Sequence, residues 1–167
     1  MAHSGGMVTP RVVDREQAAR ICREWQAQGD IVVLTNGCFD LVHVGHVRYL
    51  EAARSLGTLI VGVNSDESVR HLKGPSRPIT PEQDRAELIA ALRWVDLVTI
   101  FDDPTAERLL LDLKPNVYVK GADYGPTGRS LPEVVVAQQI GARVELIPLV
   151  EGHSTSQIIA SIRHRAP

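Results

Sequence analysis

Two histidines three residues apart, His43 and His46, are the side chains in this sequence best suited to chemistry. Apolar residues at helical spacing follow them, which predicts a helix beginning near Val44. Residues three apart lie on one face of a helix, so both imidazoles belong to its first turn. Backbone N–H groups at a helix start lack internal partners and carry partial positive charge, which favours phosphate. Gly45 lets a ligand approach this backbone closely. The pattern predicts a phosphate-binding turn.

The elements that must position this turn alternate between strands and helices along the chain. Short apolar runs predict strands, and segments of helical periodicity separate them. Such alternation implies parallel strands joined by right-handed crossovers. We therefore expect an α/β fold with a doubly wound, five-stranded parallel sheet of Rossmann-like type. Ligands in such sheets bind beyond the carboxyl ends of the strands. The predicted strands cover residues 31–35, 59–63, 97–101, 117–119 and 144–147.

Composition narrows the class of protein. The chain has 167 residues and a net charge of −2, so nothing in its charge suggests nucleic acid or a membrane surface as a partner. No apolar run is long enough to span a bilayer, and residues 1–7 have no signal-peptide pattern. Two unpaired cysteines fit a reduced, cytoplasmic setting. We expect one domain over residues 1–167, with residues 1–10 disordered.

The same residues argue against metal and covalent chemistry by the protein. His43 and His46 supply two ligands, whereas zinc sites use three or four protein groups. No serine lies in a nucleophile turn with a base beside it, and Cys38 falls inside the phosphate turn. The sequence therefore predicts no protein metal ligand and no covalent intermediate.

The segment Gly37 to Asp40 followed by His43-Val44-Gly45-His46 resembles the His-x-Gly-His nucleotidyltransferase superfamily, in its cytidylyltransferase-like branch. Two further segments support the likeness: Arg93-Trp94-Val95-Asp96 is similar to an Arg-Tyr-Val-Asp motif, and residues 152–158 are similar to Gly-Ile-Ser-Thr-Thr-x-Ile. Within that branch the chain resembles bacterial D-glycero-β-D-manno-heptose 1-phosphate adenylyltransferases. The resemblance covers roughly residues 12–162.

This resemblance implies roles for individual residues. Catalytic contacts with the triphosphate are expected from His43, His46 and Lys73. Arg85 and Arg93, eight residues apart, are expected on one face of a helix. The nucleotide-binding set is Asn36, Gly37, Cys38, Phe39, Asp40, Gly45, Arg93, Lys120, Gly121, Asp123, Ser154, Thr155 and Ser156, and the acceptor-binding set is Asp66, Lys73, Arg77 and Arg85.

Structural explanations compete with several of these roles. Ser154 or Thr155 could simply cap the last helix, and Arg93 could interact with a helix C-terminus. Lys73 could be a solvated loop residue. The prolines and glycine of residues 73–80 also suggest a loop that closes over substrate.

The resemblance implies a reaction: AMP transfer from ATP to a sugar 1-phosphate, most closely a heptose 1-phosphate, with Mg²⁺ carried by the triphosphate. Leu149 stands where cytidylyltransferases have an arginine near the base, which favours ATP over CTP. The resemblance also implies a homo-oligomer and a separate sugar kinase. Two alternatives stay open, a cytidylyltransferase for glycerol 3-phosphate and a nucleotide-binding module without catalysis.

Overall fold

A computed structural model of the chain describes residues 11–122, 131–148, 150 and 152–165, and these residues form six strands and seven helices. The predicted disorder of residues 1–10 lies outside this description. The elements in chain order are β1 Val12–Val13, α1 Arg15–Ala27, β2 Val32–Gly37, α2 Val44–Arg54, β3 Thr58–Asn64, α3 Asp66–Lys73, α4 Glu82–Ala90, β4 Leu97–Phe101, α5 Glu107–Leu113, β5 Val117–Gly121, α6 Pro132–Gln139, β6 Arg143–Ile147 and α7 Thr155–Arg165.

The strands form one parallel sheet in the order β1-β4-β3-β2-β5-β6. The predicted α/β class and parallel sheet are confirmed, but the count of five strands is one short. The missed strand, β1, pairs Val12 with Val98 and Val13 with Thr99. Two residues are too few to show a period, so only pairing with β4 reveals the strand. The chain leaves β2 for β3 on one side and returns as β5 on the other, which makes the β2–β5 border the switch point of the sheet.

Helices cover both faces of this sheet. Residues of α1, α5 and α6 pack on one face in a cluster that includes Leu34, Ile60 and Tyr118. Residues of α2 and α4 pack on the other face with Val33 and Val61. Burial on both faces explains the continuous apolar runs Val32–Leu34 of β2 and Leu59–Val61 of β3.

Two helix boundaries matter for the site. Helix α3 continues to Lys73, so this lysine ends a helix instead of lying in the loop where it was expected. Helix α4 ends at Ala90, three residues before Arg93. No helix among the described residues is long and apolar enough to cross a membrane.

Candidate active site

The histidine turn joins β2 to α2, and backbone hydrogen bonds fix both imidazoles. His43 is the N-cap of α2, and its Nδ1 accepts a hydrogen bond from the Gly45 N–H at 3.1 Å. The Nδ1 atom of His46 accepts from the His43 N–H at 3.4 Å. The two rings stack with their centroids 3.8 Å apart. Because each Nδ1 is an acceptor, the proton of each neutral ring sits on Nε2. Both rings therefore offer an Nε2–H donor.

The protonation of these rings follows from their surroundings. Burial, followed by the charges of His43 and Lys73, lowers the pKa of His46 to about 4. Burial, followed by His153, lowers the pKa of His43 as well. At pH 7 both imidazoles are neutral donors. The structure thus presents two neutral N–H groups at a helix N-terminus, and their contact with phosphate stays a prediction.

Phe39 supports the histidine turn through its buried side chain, which packs against His46. Its backbone adopts a left-handed conformation with φ of 49°, and its buried ring packs edge-on against the ring of His46 at 5.2 Å. A Cβ atom at Gly37 would lie 3.0 Å from the Phe39 ring, so a larger residue there would require this ring to shift. The structure gives Phe39 a packing role under His46, where a nucleotide contact was expected.

Asp40 anchors the segment that follows α3. Its buried carboxylate accepts hydrogen bonds from Arg77 Nε at 2.6 Å, Ile79 N at 2.8 Å and Thr80 N at 2.9 Å. Burial alone would raise the pKa of Asp40, but these bonds outweigh it and the pKa is lowered. The acceptor oxygens of Asp40 are thus used within the protein, and its contact with the nucleotide stays a prediction.

Arg77 shares that anchoring role. Its Nε is bound to Asp40, and its side chain is only 15% exposed. Its two terminal nitrogens make no hydrogen bond or ion pair with the residues that the structure describes. The half of the loop from Arg77 to Thr80 is thus tied to the histidine turn, and only the guanidinium end of Arg77 keeps capacity for a ligand.

Arg85 is wholly buried, and its contact with the acceptor substrate stays a prediction. Its guanidinium donates to the carbonyl oxygens of Thr80 at 2.8 Å, Cys38 at 2.6 Å and Asn64 at 2.7 Å. It also donates to Asp66 Oδ1 at 2.7 Å, so this carboxylate is paired inside the protein too. Arg85 therefore ties the histidine turn, the end of β3 and the loop before α4 together.

Arg93 is separated from this group. It is exposed, and its guanidinium stacks on Trp94 at 4.0 Å. It lies in the turn after α4, close to Asp96, whose N–H and carboxylate bond to Leu59 at the start of β3. The prediction that Arg85 and Arg93 share a helix face is wrong, because the helix ends first. Arg93 lies toward the amino-terminal edge of the strands, away from the histidine turn.

Lys73 is the open cation beside the turn. It is exposed, and it has no hydrogen bond or ion pair with the described residues. Its charge contributes to the pKa of both His46 and Cys38, so its ammonium lies near both. Burial is the main cause that raises the pKa of Cys38, which keeps this residue a thiol. The structure thus brings a free cation next to the histidine turn, and Cys38 is not an activated nucleophile.

The start of α7 faces the start of α2. A Cβ atom on Gly45 would lie 3.3 Å from His153 Cβ and 2.9 Å from the His43 ring. A cleft of about 280 Å³ runs from His43 along α7. Ser154 Oγ accepts from the Gln157 N–H at 3.2 Å, which is a helix cap, and Thr155 Oγ1 donates to Leu41 O at 3.4 Å. Both hydroxyls thus have structural partners, and the remaining hydroxyl, on Ser156, is exposed.

A polar network lies where β2 and β5 part. Asn36 Oδ1 accepts from Tyr118 OH at 2.8 Å and from Lys120 Nζ at 3.4 Å. Lys120 also pairs with Glu133 of α6 at 3.7 Å, with both side chains 10% exposed. Glu133 was missed, because twelve residues lie between it and its partner Lys120 and no local pattern marks it. Gly121 ends β5 and is buried, while the expected contact of Asp123 lies outside the described residues.

The groups of the turn that the described residues leave open are the histidine N–H donors, with the cation Lys73 beside them. Among the described residues, no group of three or more His, Cys, Asp or Glu side chains is placed to hold a metal ion. What these donors can do is bind and polarise an oxyanion such as a phosphate.

Curated bacterial proteins are similar to this chain in sequence. The chain is 47% identical to bifunctional protein HldE from Syntrophotalea carbinolica over 99% of its own length and 34% of that protein. It is 48% identical to bifunctional protein HldE from Trichlorobacter lovleyi over 93% of its length and 31% of that protein. The chain thus spans about a third of these curated relatives.

Solved structures show the same fold. A lipopolysaccharide core biosynthesis protein from Thermoplasma volcanium is 27% identical with a TM-score of 0.59, covering 75% of this chain and all of that one. A pantoate-β-alanine ligase from Francisella tularensis, 14% identical with a TM-score of 0.55 over 91% of this chain and 76% of that one, shares the fold. Residues 34–161, from the strand before the histidine turn into α7, match the cytidylyltransferase-like family. The chain belongs to the cytidylyltransferase-like family, which confirms the predicted nucleotidyltransferase.

Proposed function

We propose that this chain transfers AMP from ATP to D-glycero-β-D-manno-heptose 1-phosphate, giving an ADP-heptose and pyrophosphate. The observation that carries the proposal is the pair of neutral Nε2–H donors of His43 and His46 at the start of α2, with the free ammonium of Lys73 beside them. The motifs shared with heptose 1-phosphate adenylyltransferases, and the high identity to proteins named HldE, support this acceptor.

The reaction needs no nucleophile from the protein. A phosphate oxygen of the sugar 1-phosphate attacks the α-phosphorus of ATP, and the bond from that phosphorus to the bridging oxygen of the β-phosphate breaks. Pyrophosphate leaves with the electron pair. Positioning and stabilisation of charge dominate such transfers. In this proposal the His46 Nε2–H and Lys73 contact the α-phosphate, while His43 and the first turn of α7 hold the leaving phosphates.

We also propose that Mg²⁺ enters on the triphosphate. Phosphate oxygens and waters suit this ion, whereas the carboxylate in the turn, Asp40, already accepts three hydrogen bonds from the protein. A kinase activity must supply the sugar 1-phosphate. We place the reaction in the cytoplasm, where ATP is made, and propose one nucleotidyltransferase domain that works as a homo-oligomer.

The test is a pyrophosphate-release assay with ATP, GTP, CTP and UTP against heptose 1-phosphate and glycerol 3-phosphate. We expect turnover with ATP and heptose 1-phosphate. Turnover only with CTP and glycerol 3-phosphate would replace this function by the cytidylyltransferase alternative. Nucleotide binding by calorimetry with no turnover of any pair would favour the non-catalytic module. Leu149, on which the preference for ATP rests, lies outside the described residues, so the nucleotide series is the decisive part.

His46→Ala supplies the matched loss-of-function variant. Removing one positioned donor to a developing charge typically lowers kcat by ~10²–10³. We expect that loss with an unchanged circular dichroism spectrum. An unchanged kcat would contradict the role of His46.

A further inference from the structure

The side-chain amide of Asn36 is held in one orientation. Its oxygen receives two hydrogen bonds, from Tyr118 OH and from Lys120 Nζ. A tyrosine hydroxyl can donate or accept, but a lysine ammonium can only donate. The end of the amide that faces Lys120 must therefore be the oxygen. The NH₂ end of Asn36 points away from this pair and makes no hydrogen bond with any described residue.

The groups that orient Asn36 are themselves fixed. Tyr118 is fully buried in the core, and Lys120 is 8% exposed. The ammonium of Lys120 is shared between Asn36 and the buried carboxylate of Glu133 at the start of α6. Buried charges keep such geometry because losing a partner is costly. Among the described residues, the orientation of the amide is thus set by two elements, β5 and α6.

The free NH₂ group lies at the switch point of the sheet. Asn36 precedes Gly37, the last residue of β2, and β2 borders β3 on one side and β5 on the other. Ligands of doubly wound sheets bind in the crevice outside this border. The side chain of Asn36 is partly exposed, as a ligand-contacting group must be.

We propose that Tyr118, Lys120 and Glu133 are positioning residues that turn the amide of Asn36, a member of the predicted nucleotide-binding set, so that its NH₂ group donates to an anionic or hydroxyl oxygen of a bound substrate. An amide turned this way offers two donors and no acceptor, so it selects an oxygen over a donor group. The oxygen belongs either to the nucleotide phosphates or to the sugar phosphate. The identity of these substrates rests on the proposed function, but the orientation of the donor does not.

Asn36→Asp and Asn36→Ala separate donation from structure. Aspartate keeps an oxygen for Tyr118 and Lys120 but replaces the NH₂ group by an acceptor, so a purely structural role would survive it. We expect kcat/KM to fall about 10- to 100-fold in Asn36→Ala, as for loss of one hydrogen bond to a charged group. Asn36→Asp should lose at least as much, because its carboxylate repels phosphate. A rise in KM for only one substrate shows which substrate carries the oxygen that accepts the hydrogen bond from Asn36.

A matched control exists at the other edge of the sheet. Asn116 Oδ1 also accepts two hydrogen bonds, from Val32 N at 2.9 Å and from Gln26 Nε2 at 3.1 Å. Asn116→Asp is therefore the same substitution in a comparable environment far from the switch point. We expect its kcat/KM to equal that of the wild type.

Tyr118→Phe tests the positioning part of the proposal. It removes one of the two donors to Oδ1, so the amide should turn more freely and the same substrate's kcat/KM should fall by a smaller factor than in Asn36→Ala. Wild-type kcat/KM for both substrates in Asn36→Asp would overturn the proposal. So would a loss in both Asn36 variants accompanied by a melting temperature lowered by more than about 5 °C, which indicates a structural role. If the wild type turns over another nucleotide and acceptor, the same variants are compared with that pair.

Discussion

Replacing Arg85 by methionine removes the contact point of three segments. The guanidinium donates to the carbonyls of Cys38, Asn64 and Thr80 and to the carboxylate of Asp66, and no part of Arg85 is exposed. Methionine has a similar length and no donor. The substitution therefore leaves four acceptors without their partner while filling most of the same volume.

The expected cost follows from these contacts. Breaking a buried pair from one side typically costs ~3–5 kcal/mol, because the other partner stays buried without compensation. Asp66 is 28% exposed and regains some water, which places the estimate toward the lower end of that range. For a chain of this length each kcal/mol lowers the melting temperature by ~2–4 °C. We therefore expect the melting temperature of Arg85→Met to fall by roughly 6–12 °C.

Activity should fall beyond what this destabilisation explains. The Cys38 carbonyl belongs to the histidine turn and the Thr80 carbonyl to the loop anchored on Asp40, so both segments lose a shared support. At a temperature where the variant is still folded, we expect kcat to drop at least ~10-fold, since small displacements of catalytic groups are costly. Arg85→Lys keeps the charge but cannot reach all four acceptors, and should fall between the variant and the wild type.

Arg93→Met is the matched control. Arg93 is exposed, so the same substitution should change the free energy of unfolding by no more than ~0.5 kcal/mol. The assay is thermal and urea unfolding of the three variants beside the wild type, followed by pyrophosphate release. Equal melting temperatures for Arg85→Met and the wild type would refute the reasoning. Equal effects of the two methionine variants would restore the idea that both arginines act alike.

Three further predictions concern the turn itself. Gly45→Ala should lower kcat with little loss of stability, because its Cβ would come within 2.9 Å of the His43 ring and displace it; an undisturbed kcat would contradict this. Asp40→Asn should make the free energy of unfolding depend less on pH in the acid range. A carboxylate with a lowered pKa stabilises the fold above its usual pKa of about 3.9, and that contribution is lost as pH falls through the lower pKa of the folded state. Urea midpoints that change in parallel for variant and wild type from pH 6 to 3 would contradict this. His46, whose pKa is lowered to about 4, should make the wild type less stable as pH falls from about 6.5 toward 4, because the unfolded chain takes up the proton first; His46→Ala should lack that part of the slope.

The histidine turn could be predicted because its determinants are local. Strand, glycine turn and helix N-terminus are all specified within residues 31–50, and the structure places the two imidazoles on one turn as expected. The tautomers could not be predicted, because they depend on which backbone N–H reaches each Nδ1. The alternation of strands and helices likewise predicted the parallel sheet, and only a strand too short to have a period was missed.

Long-range pairing explains where sequence reasoning failed. Arg85 and Arg93 are eight residues apart, which is about two helical turns, so the sequence predicts that both lie on one helix face. No proline or glycine marks the helix end between them. The helix nevertheless stops at Ala90, where the chain must turn so that Asp96 can bond to Leu59 of β3. In the same way the partner of Lys120, Glu133, is set by the packing of α6 on β5, which leaves no trace in local sequence.

The charged residues and histidines that the sequence predicts for the site fall into two groups. Some already bond to protein groups, and the others are open to a ligand. Asp40 and Arg85 are buried and form hydrogen bonds with the backbone of the loop and of the histidine turn. Lys73 and the Nε2 atoms of the two histidines keep that capacity for a ligand. Burial explains the division, because a charge removed from water needs partners inside the protein and then has little left to offer. The buried residues Asp40 and Arg85 therefore hold the histidine turn and the loop in place. The histidines and Lys73 remain open, and transfer at phosphorus requires donors of this kind.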